Sequence, residues 1–259
     1  GHDIQASVIL TLEEAAHGCS KKITINRQDT CPDCGGTGAA KGTSPETCPD
    51  CGGRGYVETQ QRTPFGVMQS QQPCSHCGGR GTIIRNPCKT CRGTGKTAAR
   101  KSLEINIPAG IDDDQNIALR GQGDAGSNGG PAGDVIVHVT VKADPMIERD
   151  GYAETIHVPI TFSQAVLGED VVVPSVDCRI VQHFPEGTQS GTKFRLRGQG
   201  IQYLNGRGRG DQYVIVDVEI PKKVTRAQRE ALKAFEDSMK EDNYEKRKGF
   251  FKNLRDRFS

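Results

Sequence analysis

The sequence predicts a mainly β protein: two tandem, homologous β-sandwich-like domains, a cysteine-rich module inserted in the first, and a helix at the carboxyl end. Three observations predict this fold. Segments rich in β-branched residues recur along the chain, several short motifs occur twice, and four cysteine motifs interrupt the first copy of the duplicated series. The 259 residues suffice for two small domains, and 34% hydrophobic content with 32 glycines indicates modest, turn-rich cores.

The duplication defines the domain order. LTLEEAAHG (10–18) matches ITFSQAVLG (160–168) at an offset of 150, whereas the later matches, such as LRGQG at 119–123 and 196–200, have an offset of 77. The first copy therefore carries 73 surplus residues, and all four cysteine motifs lie among them. We expect a first β domain at 1–30 and 97–145, an inserted module at 31–96, a second β domain at 146–222, and a terminal helix and tail at 223–259.

The regular elements follow from local patterns. Strands are predicted for the β-branched segments KKITIN, SLEINI, DVIVHVTV, EDVVVP and QYVIVDVEI. A short helix is predicted in each copy, since Thr11 with Glu14 and Thr161 with Gln164 fit capping boxes. Gly18 and Gly168 suit the ends of these helices.

The sequence pattern at the carboxyl end predicts a helix. Thr225 with Gln228 forms a third capping box, and Leu232, Phe235 and Met239 fall on one face of the helix that follows. That face either packs on its own domain or meets a second chain, and spacing alone favours the first. FFKNLRDRFS (250–259) is either a docking helix or a frayed tail.

The four cysteine motifs all read C-x-x-C-x-G-x-G, beginning at Cys31, Cys48, Cys74 and Cys88. Two such pairs can hold one Zn²⁺ tetrahedrally, and glycines after each pair allow the positive φ of a tight knuckle. Disulfides or a thiol–disulfide active site are the alternatives, but a redox C-x-x-C normally occurs singly near a βαβ pattern. Because large apolar residues are few in this segment, metal ligation should supply its folding free energy.

The position of the module constrains how the motifs pair. An inserted module must leave and rejoin its host at neighbouring points, so the first motif should meet the fourth. This pairing gives two zinc ions per chain, with sequential pairing as the main alternative. The expected ligands are Cys31, Cys34, Cys88 and Cys91 for zinc 1, and Cys48, Cys51, Cys74 and Cys77 for zinc 2. Cys19 and Cys178 are expected to be free thiols.

Charge and motifs limit the other functions. Eight thiolates with two Zn²⁺ would change the formal net charge from +2 to about −2, which disfavours binding to polyanions. No catalytic triad, carboxylate pair or phosphate-binding loop stands out, so we expect no enzyme. A thiol–disulfide oxidoreductase and a zinc-ribbon nucleic-acid binder remain as alternatives.

Three features of the sequence predict a cytoplasmic location. No apolar run is long enough to span a membrane, no signal segment is evident, and paired thiols suit a reducing compartment.

Taken together, the four repeats inside the first β domain, LTLEEAAHG, IPAG, LRGQG, PAGD and the terminal helix resemble the zinc-containing DnaJ family of J-domain co-chaperones. The resemblance covers nearly the whole chain. The sequence has no His-Pro-Asp loop and no Gly/Phe-rich linker, so it resembles the client-binding region without the J domain. Stimulation of a DnaK ATPase through a J domain is therefore not expected of it.

The resemblance implies a chaperone that binds unfolded polypeptides, prevents their aggregation and delivers them to a DnaK-type chaperone. Zinc site 1 would help to hold clients and zinc site 2 would help to transfer them. Clients would add to a strand edge in the first domain, above a groove of Ile4, Ile23, Ile25, Leu103 and Val137; without the resemblance, these residues read as core. The terminal helix would join a homodimer through Leu232, Phe235 and Met239.

Overall fold

The structure, a computed structural model, describes residues 1–63, 66–127 and 129–258, and it describes side chains outside 60–69. The protein is mainly β with helices at its carboxyl end, as the sequence predicts. The chain divides into two compact units. The larger unit comprises 1–157, 172–180 and 193–214, and the smaller comprises 158–171, 181–192 and 215–259.

The first repeat, residues 1–30 and 96–145, places two β layers around one apolar core. The strands are β1 (Ile4–Leu10), β2 (Cys19–Thr30), β7 (Lys96–Ile107), β8 (Asn116–Leu119) and β9 (Val135–Val141). One sheet has the order β1-β9-β8, with β1 parallel to β9, and β2 pairs with β7 in antiparallel fashion. Inward-facing side chains of both layers, including Ile105, Val137 and Val139, are fully buried in the core.

A long ladder connects the first repeat to the inserted module. The β2–β7 pairing runs without interruption from Cys19 opposite Ile107 to Thr30 opposite Lys96, so the chain leaves and rejoins the repeat at paired residues. Between these points the described residues form four strands in two antiparallel pairs, β3 with β6 and β4 with β5. Their bounds are Glu46–Thr47 for β3, Tyr56–Thr63 for β4, Gly66–Pro73 for β5 and Thr82–Ile83 for β6.

The second repeat, residues 147–219, contains a four-stranded sheet and a hairpin. The sheet has the order β10-β11-β15-β14, and the hairpin pairs β12 with β13. The strands are β10 (Ile147–Asp150), β11 (Ala153–Thr161), β12 (Glu169–Pro174), β13 (Arg179–Phe184), β14 (Lys193–Leu196) and β15 (Gln212–Glu219). Within the larger unit Val173 and Val214 are buried, and within the smaller unit Ile160 and Phe184 are buried.

The predicted helix signals are confirmed. Helix α1 (Leu12–His17), α2 (Phe162–Leu167) and α3 (Arg226–Ser238) each begin with a complete capping box. The first two end at Gly18 and Gly168, whose φ values of 75° and 72° are readily adopted by glycine. A short 3₁₀ turn and helix α4 (Glu245–Phe258) follow α3, so the predicted tail is helical.

Candidate metal centres and apolar groove

The structure brings the eight motif cysteines together in two groups of four. The groups are Cys31, Cys34, Cys88 and Cys91, and Cys48, Cys51, Cys74 and Cys77, and within each group all sulfur atoms lie within 4.8 Å of one another. The first motif therefore meets the fourth, and the second meets the third. Each group can hold one zinc ion, which gives two per chain.

The sulfur separations fit tetrahedral zinc. The Sγ–Sγ distances across the motifs are 4.0 Å for Cys31–Cys88 and 3.7 Å for Cys34–Cys91. In the second group, Cys51 and Cys77 are 3.8 Å apart. A regular tetrahedron with Zn–S bonds of about 2.3 Å has edges of about 3.8 Å. A disulfide would require about 2.05 Å, so these cysteines are thiols arranged around a metal-sized space.

Backbone N–H groups support the sulfur atoms in the same way in every motif. The second cysteine accepts a hydrogen bond from the motif's last glycine, as in Gly38 N–H to Cys34 Sγ at 3.3 Å and Gly81 N–H to Cys77 Sγ at 3.2 Å. The equivalent bonds in the other two motifs are 3.3 Å. Such donors stabilise the thiolate, which is the form that binds metal.

Paired motifs also form backbone hydrogen bonds with each other. The N–H of Cys31 donates to the carbonyl of Gly95 at 2.9 Å, and the N–H of Cys88 donates to the carbonyl of Gly38 at 2.8 Å. The second group repeats this exchange between Cys48 and Gly81 and between Cys74 and Gly55, both at 2.9 Å. Each centre therefore has a local two-fold arrangement of its four cysteines.

Ionisation differs among the sulfurs. Burial raises the pKa of the Cys31 and Cys48 thiols to about 11. Burial opposes ionisation of Cys77 as well, but N–H donors, first that of Gly81, outweigh it and lower its pKa to about 7. A bound Zn²⁺ would supply the positive charge that keeps the buried sulfurs as thiolates.

Two polar pairs across the centres were not predicted. Thr90 donates its hydroxyl hydrogen to Asp33 across the first centre, and His76 contacts Asp50 at 2.9 Å across the second. All four residues occupy the third position of their C-x-x-C motifs. Because a carboxylate faces a donor in each pair, the third positions carry a signal for motif pairing beyond the one that chain connectivity supplies.

A groove lies between the neighbouring edges of β1 and β2. It has a volume of about 550 Å³ and is lined by residues 4–7 of β1 and 23–26 of β2. Of the five residues that the resemblance placed in a groove, Ile4, Ile23 and Ile25 line this one. Val137 is fully buried in the core below, and Leu103 lines a separate groove beside β8. All five belong to one apolar cluster.

The family comparison decides the relationship. The family described as DnaJ C terminal domain matches residues 4–221, and the family described as Chaperone protein DnaJ C-terminal region matches residues 227–259. This chain belongs to the DnaJ C-terminal domain family.

Individual DnaJ relatives agree with that assignment. The chain is 44% identical over 256 residues to the Chaperone protein DnaJ of Acetivibrio thermocellus, covering 99% of the chain and 66% of the relative. It is 48% identical over 258 residues to that of Clostridioides difficile, covering 100% of the chain and 67% of the relative. The chain thus spans about two thirds of the length of these DnaJ proteins.

The three terminal-helix residues that the DnaJ resemblance singled out have different surroundings. The Phe235 ring packs edge-to-face on Phe162 of α2, with ring centres 5.9 Å apart, so it contacts its own chain. Leu232 is 47% exposed. Met239 follows the last residue of α3 in an extended conformation, so the prediction that it shares the helix face of Leu232 and Phe235 is wrong; it lines a cavity between α3 and α4. Among the described residues, no helix has the length and apolar character needed to cross a bilayer.

Proposed function

We propose that this DnaJ-family chain is a client-holding chaperone module. It binds unfolded polypeptides, prevents their aggregation and delivers them to a DnaK-type chaperone, without enzymatic activity of its own. Relatives bearing the name Chaperone protein DnaJ support the general role.

The groove between β1 and β2 is the observation that carries the proposal. β1 is the outermost strand of its sheet, and β2 belongs to a two-stranded layer, so an extended peptide can add to a strand edge here. Main-chain hydrogen bonds would provide affinity without sequence preference. The half-buried side chains of Ile4 and Ile23 would favour an apolar side chain in the peptide, which is the chemistry that unfolded chains expose.

The zinc centres serve a structural role in this proposal. Apart from the cysteines, only Val57 and Ile83 pack against the second group of sulfurs, and no other apolar residue is found there among the described side chains. Metal ligation must therefore replace an apolar core, so zinc loss should unfold the module. We further propose that centre 1 helps to hold clients and centre 2 helps to transfer them.

The proposed partners are unfolded clients, a DnaK-type chaperone and a second copy of the chain, with the cytoplasm as location. In the homodimer, Leu232 is the best-placed contact because its side chain is exposed. Met239 would contribute at the cavity between α3 and α4. Phe235 would act indirectly, by holding α3 against α2.

A binding titration tests the proposed function. A fluorescent, apolar, unfolded peptide is titrated with the zinc-loaded chain, and anisotropy is recorded with and without a single-stranded RNA of similar length. Saturable peptide binding that RNA does not displace supports the proposal. Binding of RNA with no binding of peptide would contradict it and would favour a zinc-ribbon nucleic-acid binder.

A further inference from the structure

The second repeat contains a counterpart of the β1–β2 groove. The offsets of 150 and 77 residues map the five groove positions onto the second repeat. The counterparts of Ile4, Ile23, Ile25, Leu103 and Val137 are, in that order, Glu154, Val173, Ser175, Ile180 and Val214. The most chemically distinct change replaces the isoleucine at the mouth of the groove with a glutamate.

The backbone confirms that the two sites correspond. In the first repeat, the N–H of Ile4 donates to the carbonyl of Asp134 at 2.9 Å, and Ile4 lies opposite Val135. In the second repeat, the N–H of Glu154 donates to the carbonyl of Asp211 at 3.1 Å. Glu154 therefore lies beside Gln212, just as Ile4 lies beside Val135.

Burial shows that the second site is closed. Ile4 and Ile23 are only partly buried, which leaves the first groove open. Their counterparts Glu154 and Val173 have no exposed surface, and neither does Gln212. An apolar side chain of a ligand therefore has no access to Val173.

Hydrogen bonds tie the end of β12 over this site. Gln212 Nε2 donates to the carbonyl of Pro174 at 2.6 Å, and the N–H of Val176 donates to Glu154 Oε2 at 3.4 Å. The Ser175 hydroxyl donates to the carbonyl of Gln199 at 3.1 Å. Glu154 and Gln212 thus hold the residues that directly follow the buried Val173.

Two buried oxygens at this position have no protein donor. Among the described residues, Glu154 Oε1 and Gln212 Oε1 are buried without a hydrogen-bond partner, and they belong to neighbouring side chains. Leaving buried oxygens without a hydrogen-bond donor lowers the stability of the fold, and two acceptors cannot form a hydrogen bond with each other. A proton on Glu154 would let the carboxyl donate to Gln212 Oε1, which would give both oxygens a partner.

The surroundings agree with a neutral carboxyl. Burial raises the pKa of Glu154, the N–H of Val176 opposes the shift, and Asp177 adds to it. Arg209 and the Ser175 hydroxyl lower the pKa, but Arg209 also pairs with Asp177, so its charge is shared. Arg149 lies opposite Glu154 on β10, and its positive charge also favours the carboxylate, but Arg149 pairs with Asp112 as well.

We propose that the second repeat carries a closed copy of the groove, and that Glu154, as a neutral acid donating to Gln212, is the latch that keeps it closed. Of the proposed function, this inference uses only the identity of the open groove. The closed site becomes a second apolar peptide site when the latch is removed. Glu154 is thus the residue that restricts binding to the first repeat.

Thiol accessibility tests the latch without any peptide. Val173→Cys is introduced into the zinc-loaded chain after Cys19→Ser and Cys178→Ser, and maleimide labelling at pH 7 is located by mass spectrometry. Ile23→Cys in the same background is the matched control for an open groove. We expect the introduced thiol at 173 to react at least about tenfold more slowly than the one at 23, since it reacts only on local opening.

Two latch variants decide the outcome. Glu154→Ala should raise labelling at position 173 several-fold and leave position 23 unchanged. Glu154→Gln should retain the protection, because its amide can donate to Gln212 without a proton. Equal labelling of the thiols at positions 173 and 23 with Glu154 intact would overturn the proposal. Loss of protection of the thiol at 173 in Glu154→Gln would also overturn it. The Glu154→Gln result decides the matter even if Glu154→Ala unfolds.

Peptide binding separates the latch from the proposed function. A photo-crosslinking apolar peptide should attach near β2 in the chain with Glu154 intact. In Glu154→Ala it should attach near β12 as well. A peptide that crosslinks nowhere contradicts the proposed function, whereas the labelling pattern still decides the latch. Crosslinks near β12 with Glu154 intact would overturn the latch.

Discussion

Gly38 lies directly against Gly93: a Cβ added to Gly38 would sit 2.6 Å from the Gly93 carbonyl oxygen. The second centre repeats this contact, since a Cβ on Gly55 would sit 2.5 Å from the carbonyl oxygen of Gly79. The last glycine of a motif is therefore required by the partner motif, in addition to its positive φ of 74° at Gly38. The glycine spacing and the pairing of motifs are two aspects of one packing arrangement.

Gly38→Ala should disrupt the first zinc centre. The new methyl group would push the paired motifs apart and weaken the Gly38 N–H bond to Cys34. We expect zinc content, measured by mass spectrometry of the purified chain, to fall from two ions towards one. Gly35→Ala is the matched control: its φ is also positive, nothing lies within 4 Å of its Cβ, and Arg92 occupies the equivalent place in the fourth motif with φ 52°. If Gly38→Ala and Gly35→Ala both retain two ions, the contact does not maintain the centre.

Paired cysteine variants should report which motifs share an ion. Cys31→Ser should reduce zinc from two ions to one, and adding Cys88→Ser should cause no further loss, because both cysteines belong to one group. Adding Cys48→Ser instead should remove the second ion. Sequential pairing predicts the opposite pattern for the two double variants. Cys178→Ser is the control and should retain two ions, since Cys178 is an exposed thiol outside both groups.

Much of the fold was accessible from the sequence because its signals are local. The three capping boxes and the β-branched strands depend on neighbouring residues, and all of them appear as predicted. The motif pairing that the structure displays follows from chain connectivity, since an insert must rejoin its host. How deeply a side chain is buried, and which groove it lines, cannot be predicted from local patterns. Periodicity gives Leu103 a face of β7 but cannot say that it lines a groove other than that of Ile23.

Glu154 shows a further limit of sequence reasoning. It shares the inward face of β11 with Ile156, Val158 and Ile160, at a spacing of two residues, and it is buried like them. The pattern could therefore have placed a carboxyl on the apolar face. Its partner could not have been found in this way, because Gln212 lies far along the chain and the hydrogen bonds form only in the folded sheet.

Ile23→Ala should weaken binding of an apolar peptide about tenfold, since removing buried methyl groups costs on the order of 1–2 kcal/mol. Anisotropy titration measures the affinity, and thermal unfolding shows whether the fold survives. Thr24→Ala is the matched control, because Thr24 is exposed on the opposite face of the same strand. Equal affinities for the two variants would place the peptide outside this groove.

Two substitutions in the terminal helix should affect dimerisation and folding stability separately. Leu232→Glu should shift sedimentation from dimer to monomer with little change in stability, because the Leu232 side chain is exposed. Phe235→Ala should instead lower the free energy of unfolding by about 1–3 kcal/mol, since its ring packs on Phe162. A monomeric chain before mutation, or an unchanged dimer in Leu232→Glu, would exclude this contact.

Glu154→Gln should change how stability depends on pH. The usual pKa of a glutamate is 4.5, and burial raises that of Glu154, so the folded chain holds this proton more tightly than the unfolded chain. Its contribution to stability is therefore greatest below about pH 4.5 and declines as pH rises through the folded-state pKa. Glutamine cannot ionise, so the variant should gain stability relative to the unmutated chain over that range and match it at lower pH.

Urea unfolding of the zinc-loaded chain between pH 5 and 9, with the second repeat followed by hydrogen exchange, measures this difference. Glu148→Gln is the control for loss of a surface carboxyl, because Glu148 is exposed on β10. A curve for Glu154→Gln that runs parallel to that of the unmutated chain would mean that Glu154 has the same affinity for its proton in the folded and unfolded chains. The buried oxygens of Glu154 and Gln212 would then require another donor, such as an ordered water molecule.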